Sequence, residues 1–168
     1  MKCVLEYLEN NKSNNSIVDK NGAISYEMLL ENSKKIGSFL VDKINKNDPV
    51  PVFMEKSKET LGTFLGILYA GGFYSLLNTS LPKSRLDQIM SVLEVNYLIT
   101  DKENEEMART YFSDKEIYLY EDIINTKIDE EKLLSVRKNM VDVDPVYANF
   151  TSGSTGVPKG VLVSNRSI

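Results

Sequence analysis

Histidine is absent from all 168 residues. That removes serine–histidine and cysteine–histidine nucleophilic catalysis and every histidine-ligated metal site. Cysteine occurs once, as Cys3, so an intramolecular disulfide and a thiolate metal cluster are excluded. No apolar run approaches the roughly 20 residues that cross a bilayer, so membrane insertion is not expected. The N-terminal MKCVLEYLENNKSNN is too polar and too interrupted for a secretory signal. Positive charge is also short: the formal net charge is -4, which argues against a general nucleic-acid binder. A cytoplasmic compartment fits these absences. What is present, 42% hydrophobic and 26% charged residues, is enough to bury the core of an ordinary globular domain.

Charge is unevenly spread. Residues 101–144 hold 13 acids against 7 bases, the pattern of a solvated helical surface. From Pro145 to the last residue there is no acid at all, and Lys159 and Arg166 are the only charges. A small anionic ligand is best received in that last stretch.

Apolar spacing orders the elements. Residues 2–9 suit a short helix and NNKSNN a loop. Ser25 precedes a helical run in which Leu29, Ile36 and Leu40 share one stripe, closed by Asn47-Asp48-Pro49. The apolar VPVFM (50–54) suits a buried strand, with Pro51 marking its start as an edge. Ser57 can cap a helix whose Leu61, Phe64, Leu65, Leu68 and Tyr69 recur at amphipathic spacing, and Gly71-Gly72 stops it. FYSLL (73–77) is a strand, Pro82 fits a first helical turn, and Leu86, Ile89, Met90 and Leu93 form another helical stripe. YLITD (97–101), EIYLY (116–120), VYANFT (146–151) and GVLVS (160–164) complete the strands, while 121–140 is either helix or an ordered excursion. The alternation predicts an α/β fold, a largely parallel sheet flanked by helices and joined by right-handed crossovers.

One segment carries chemistry: Thr151-Ser152-Gly153-Ser154-Thr155-Gly156-Val157-Pro158-Lys159-Gly160, set between two strands. Its three glycines permit positive φ and close backbone approach to a ligand. Its hydroxyls and backbone N–H groups can converge on phosphate oxygens, and Lys159 adds a full charge on an arm stiffened by Pro158. It is not a Walker P-loop, since Val157-Pro158 separate Gly156 from Lys159 and a strand rather than a helix follows. A P-loop kinase or NTPase is disfavoured for the same reasons. The ordered pattern arises by chance at a given position on the order of once in a billion, which sets it apart from a generic solvent loop.

This segment resembles the phosphate-binding signature of the adenylate-forming (AMP-binding) superfamily, which includes acyl-CoA synthetases, nonribosomal peptide synthetase adenylation domains and D-alanine–carrier protein ligases. ISYEMLLENSKKIGSFL (24–40) is similar to that family's early helix, and LYAGGFYSLLNTSLPKSRLDQIMSVLEVNYLITD (68–101) to its next conserved region. Leu81-Pro82 followed by Arg85 favours the amino-acid-activating branch over the acyl-CoA branch. Leu77-Asn78 departs from the proline and aspartate common there and leaves the subfamily open. The resemblance spans nearly the whole chain, and its last stretch is the most specific.

The resemblance implies that Thr151, Ser152, Gly153, Ser154, Thr155 and Gly156 hold the β- and γ-phosphates of ATP, with Lys159 assisting. Gly71, Gly72 and Arg85 are structural by the same resemblance, although a solvated helix-face arginine describes Arg85 equally well. It also implies ATP and Mg2+ as cofactors, a small carboxylic or amino acid as substrate, and a phosphopantetheinyl carrier protein or CoA as acceptor. The expected chemistry is attack of a carboxylate on the α-phosphate, release of pyrophosphate, and transfer of the acyl group to a thiol. A carboxylate is ionised at neutral pH, so the first step needs positioning and charge neutralisation rather than a histidine base. The family's later residues, a magnesium-binding glutamate and a catalytic lysine among them, have no match. Residues 1–168 are therefore expected to be the N-terminal part of the large AMP-binding domain, with no catalytic or metal-ligating residue of its own and no activity alone. A non-catalytic α/β module is the competing expectation, and VLV (161–163) is its most exposed apolar strand.

Overall fold

A computed structural model of the chain describes residues 4–10, 16–151 and 158–168. The first helix, α1 (Val4–Asn10), is followed by a two-stranded antiparallel hairpin, β1 (Ser16–Asp19) and β2 (Gly22–Ser25). No element is expected there from the sequence, because its only half-buried apolar side chains are Ile17 and Ile24. What makes the hairpin is turn chemistry. Gly22 sits at φ 117°, and the Asp19 carboxylate accepts the Asn21 N–H at 2.8 Å.

Helix α2 (Tyr26–Leu40) begins at Ser25, whose hydroxyl accepts the Met28 N–H at 3.1 Å. Leu29, Ile36 and Leu40 are all buried, as their spacing predicts, but Ile36 and Leu40 enter one core cluster and Leu29 another. Strand β3 (Pro49–Phe53) leads to α3 (Lys58–Tyr69), capped by the Ser57 hydroxyl on the Thr60 N–H. Gly71 ends that region at φ 84°, and β4 (Phe73–Leu76), α4 (Lys83–Leu93) and β5 (Tyr97–Thr100) follow. Then come α5 (Glu105–Tyr111) and β6 (Glu116–Leu119). Residues 121–140 resolve into the end of α6 (Tyr120–Ile123) and into α7 (Glu130–Lys138). The last strands are β7 (Pro145–Thr151) and β8 (Lys159–Ser164), then a short 3-10 turn Asn165–Ser167.

The main sheet has the order β6-β5-β3-β4-β7-β8. All its pairs are parallel except the last, β7 with β8. The largely parallel sheet is as expected. The placement of β3 is not: Pro51 suggests an edge, yet β3 lies between β5 and β4. It is tolerated because pairing to β5 begins only at Val52, past the residue that lacks an N–H.

Alternation along the strands divides the core between the two faces. Val50 and Val52 of β3, with Met54 just past its end, join Ile36, Leu40 and Ile67 of α2 and α3 on one face. Phe53 points the other way, to Leu86, Ile89, Met90 and Leu93 of α4 and to Phe112. A third cluster packs α1, the hairpin, α2 and α7 against α3 through Leu5, Ile17, Leu29, Leu133 and Leu68. The acidic stretch is mostly surface, with Leu133 the buried residue of α7. At the other edge, Val161 and Leu162 of β8 are exposed, as expected.

The hairpin is tied to α3 through charge. The Asp19 carboxylate accepts the Lys58 backbone N–H at 3.0 Å and its Nζ at 3.1 Å. These donors, the backbone one foremost, hold the Asp19 carboxyl below its ordinary value, and the carboxylate in turn raises Lys58. A depressed carboxyl stabilises above its unfolded pKa, about 3.9, and loses that contribution as pH falls through the lower folded value. A raised lysine contributes below its unfolded pKa, about 10.4, and loses it as pH rises through the higher folded value. The clasp is expected to hold between those limits. A carbon-detected NMR titration should place the Asp19 midpoint below 3.9, and Asp19→Asn should bring Lys58 back toward its ordinary value. An unshifted Asp19 would mean that the clasp does not form.

Candidate functional site

The hydroxyl- and glycine-rich turn joins β7 to β8. Ser152, Gly153, Ser154, Thr155, Gly156 and Val157 lie outside the described residues. Of the seven expected phosphate contacts, Thr151 and Lys159 are placed, and they are brought together: they are the facing pair at the loop end of the antiparallel ladder, both exposed. Pro158 is buried immediately before Lys159. Gly160 does not serve as a positive-φ residue. A Cβ there would meet the Phe150 ring at 3.3 Å, so its bareness admits that ring instead.

Charge around the stem is sorted by pairing. Of the two cations in the acid-free segment, Arg166 is engaged with Asp142, its Nη2 2.6 Å from the carboxylate, at the far end of the β7–β8 ladder. Lys159 stands at the loop end. Arg85, from the first turn of α4, reaches the same end: its Nη2 donates to the Thr151 carbonyl at 3.2 Å and its Nη1 to Gln88 Oε1 at 3.3 Å. Arg85 is thus more than a solvated helix-face residue. Its position in a first turn is readable from the spacing after Pro82, but the strand it faces depends on the sheet order.

A second concavity escapes sequence reasoning altogether. At the carboxyl ends of β3 and β5, where connections leave in opposite directions, a cleft of about 320 Å³ opens. Glu55, Glu59, Asp101, Glu103 and Glu121 line it, with Lys20 and Lys56. Several acids are already engaged: Thr79 donates to Glu55, Asn104 Nδ2 to Asp101 at 2.7 Å, and the Lys102 N–H to Glu121 at 3.2 Å. Burial pushes the neighbouring Tyr120 phenol up to about 12. So acidic a lining repels a polyphosphate, which leaves the β7–β8 stem as the better anion site. Among the described residues, no three acidic, histidine or cysteine side chains converge as metal ligands. No helix among those residues is long and apolar enough to cross a membrane.

The sequence matches the family described as AMP-binding enzyme over residues 6–168. It is 31% identical over 147 residues to the nonribosomal peptide synthetase otaB of Aspergillus carbonarius, covering 87% of this chain and 8% of that protein. Among solved structures, the nonribosomal peptide synthetase FmoA3 (S1046A) in its alpha-methyl-L-serine-AMP bound form aligns with a TM-score of 0.78 at 21% identity, over 98% of this chain and 18% of that one. ATP-bound MatB from Rhodopseudomonas palustris aligns with a TM-score of 0.67 at 21% identity, over 92% of this chain and 33% of that one. The chain spans well under half the length of each of these proteins.

Proposed function

We propose, since the chain belongs to the AMP-binding enzyme family, that it carries the phosphate-binding end of an ATP-dependent acid–thiol ligase. In this reading Thr151, Ser152, Gly153, Ser154, Thr155, Gly156 and Lys159 hold the β- and γ-phosphates of ATP. The carboxylate of a small acid attacks the α-phosphorus, the bond to the bridging oxygen breaks, and pyrophosphate leaves with the electron pair. The hydroxyls, backbone N–H groups and lysine neutralise the leaving charge, so no histidine is needed. The acyl-adenylate then passes its acyl group to a phosphopantetheinyl carrier-protein thiol.

An amino acid is the favoured substrate, with D-alanine among those the resemblance allows. The spacing of Leu81-Pro82 and Arg85 supports this branch, as do the nonribosomal peptide synthetases to which the chain is similar. CoA as acceptor is the second reading, left open because Leu77-Asn78 departs from the amino-acid pattern. The observation that carries the proposal is the segment from Thr151 to Gly160 on a strand-to-strand turn whose facing stem residues are Thr151 and Lys159.

Its test separates binding from turnover. The chain alone is expected to give no amino-acid-dependent ATP–pyrophosphate exchange, and measurable exchange would overturn the assignment of phosphate contacts only. Lys159→Ala and Thr155→Ala are each expected to weaken nucleotide binding about tenfold, the worth of one hydrogen bond to a charged group. Unchanged binding in both would overturn the loop assignment.

A further inference from the structure

The end of β7 is held unusually from one side. β4 and β7 register at Tyr74↔Tyr147, and past that pair β7 is registered only against β8 among the described residues. The end of β7 is instead held from the α4 side of the sheet. Phe150 packs against the cluster that contains Leu86 and Ile89 of α4, and the Arg85 guanidinium donates to the Thr151 carbonyl at 3.2 Å. The same guanidinium is steadied by Gln88, one turn along the helix, at 3.3 Å. An arginine fork anchored at two points fixes direction as well as distance, which a point charge does not. Thr151 is the residue whose ladder partner is Lys159, so a carbonyl held in place at Thr151 sets the register in which both side chains are presented.

We propose that Arg85 is a positioning residue of the phosphate site: by tethering the Thr151 carbonyl to α4 it holds the β7–β8 stem where Thr151 and Lys159 face an anion together. The proposal rests on the phosphate reading above. It assigns the work to the guanidinium's hydrogen bonds, not to its charge acting on the ligand.

Titration of the 168-residue chain with inorganic pyrophosphate at fixed ionic strength, followed by amide NMR, tests this. Arg85→Met is expected to weaken binding about tenfold, the loss of one charge-assisted hydrogen bond. It should also shift the Thr151, Lys159 and Gly160 amides in the ligand-free chain. Gln88→Ala keeps the charge and is expected to weaken binding in the same direction, by less. Unchanged affinity in Arg85→Met overturns the proposal while leaving the phosphate reading intact. So does weakened affinity with those amides unmoved, which would mark Arg85 as a direct anion contact. A loss that Gln88→Ala does not share also overturns it. If the unaltered chain shows no pyrophosphate binding, the phosphate reading fails and this proposal fails with it.

Discussion

Replacing Gly66 with alanine is expected to unfold the chain well below its normal melting temperature. Gly66 lies in α3 where it crosses α2, and a Cβ there would stand 2.5 Å from both Cβ and Cγ2 of Ile36 and 2.9 Å from the Ser33 carbonyl. Ile36 is β-branched and fully buried, and the carbonyl belongs to the α2 backbone, so neither yields without moving the helix. Gly37 makes the reciprocal approach from α2, its missing Cβ falling 2.6 Å from Tyr69 Cβ. Overpacking of this kind costs about 1–3 kcal/mol and sometimes more. Two rigid contacts at one atom put the strain at or above the top of that range. Alanine returns up to about 1 kcal/mol through helix propensity, which is too little to compensate. A net loss of about 3 kcal/mol lowers Tm by roughly 6–12 °C in a domain of this size. Gly62→Ala is the control on the same helix: its Cβ would make an ordinary 3.6 Å contact with Leu29 and should be neutral or stabilising. Calorimetry of the two variants reads the difference, and equal melting temperatures would show that α2 and α3 are not in close contact.

How far the fold was legible follows from which signals are local. Helix stripes and serine caps are local, so α2, α3 and α4 stand where Leu29–Leu40, Leu65–Tyr69 and Leu86–Leu93 put them. Parallel strands read as short apolar runs, and all of those are found. The β1–β2 hairpin and α5 are not legible, because each buries little: Ala108 is the buried residue of α5. Sheet order is a long-range property, and with it went the central position of Pro51, the antiparallel direction of β8 and the acidic cleft between β3 and β5. The site divides in the same way. The chemistry of the segment from Thr151 to Lys159 is a sequence pattern and points to an anion by itself. That Arg85 reaches it depends on α4 lying over the end of β7, and nothing within a few residues of Arg85 encodes that.

Phe53→Ala is the second large effect, and it bears on the site as well as on stability. Phe53 is fully buried and is the β3 side chain that turns to the α4 face, where it meets Phe112 edge-on with ring centroids 5.5 Å apart. Truncating a phenylalanine in a close-packed core costs about 3–5 kcal/mol, part transfer and part cavity. The edge-to-face pair adds a coupling of about 0.5–1.5 kcal/mol, which a double-mutant cycle with Phe112→Leu should recover from urea denaturation. The cavity would open in the cluster that holds Leu86, Ile89 and Leu98, the same cluster against which Phe150 packs. Relaxation of α4 toward the void would draw Arg85 away from the Thr151 carbonyl. Phe53→Ala is therefore expected to weaken pyrophosphate binding even at temperatures where the variant remains folded. A core variant on the opposite face, Ile67→Ala, leaves the α4 side of the core intact: Ile67 packs with Ile36 and Val52. It should destabilise by about 2–5 kcal/mol and leave the affinity of the folded fraction unchanged. If both variants lose affinity alike, the link from the α4 face of the core to the β7–β8 stem does not exist.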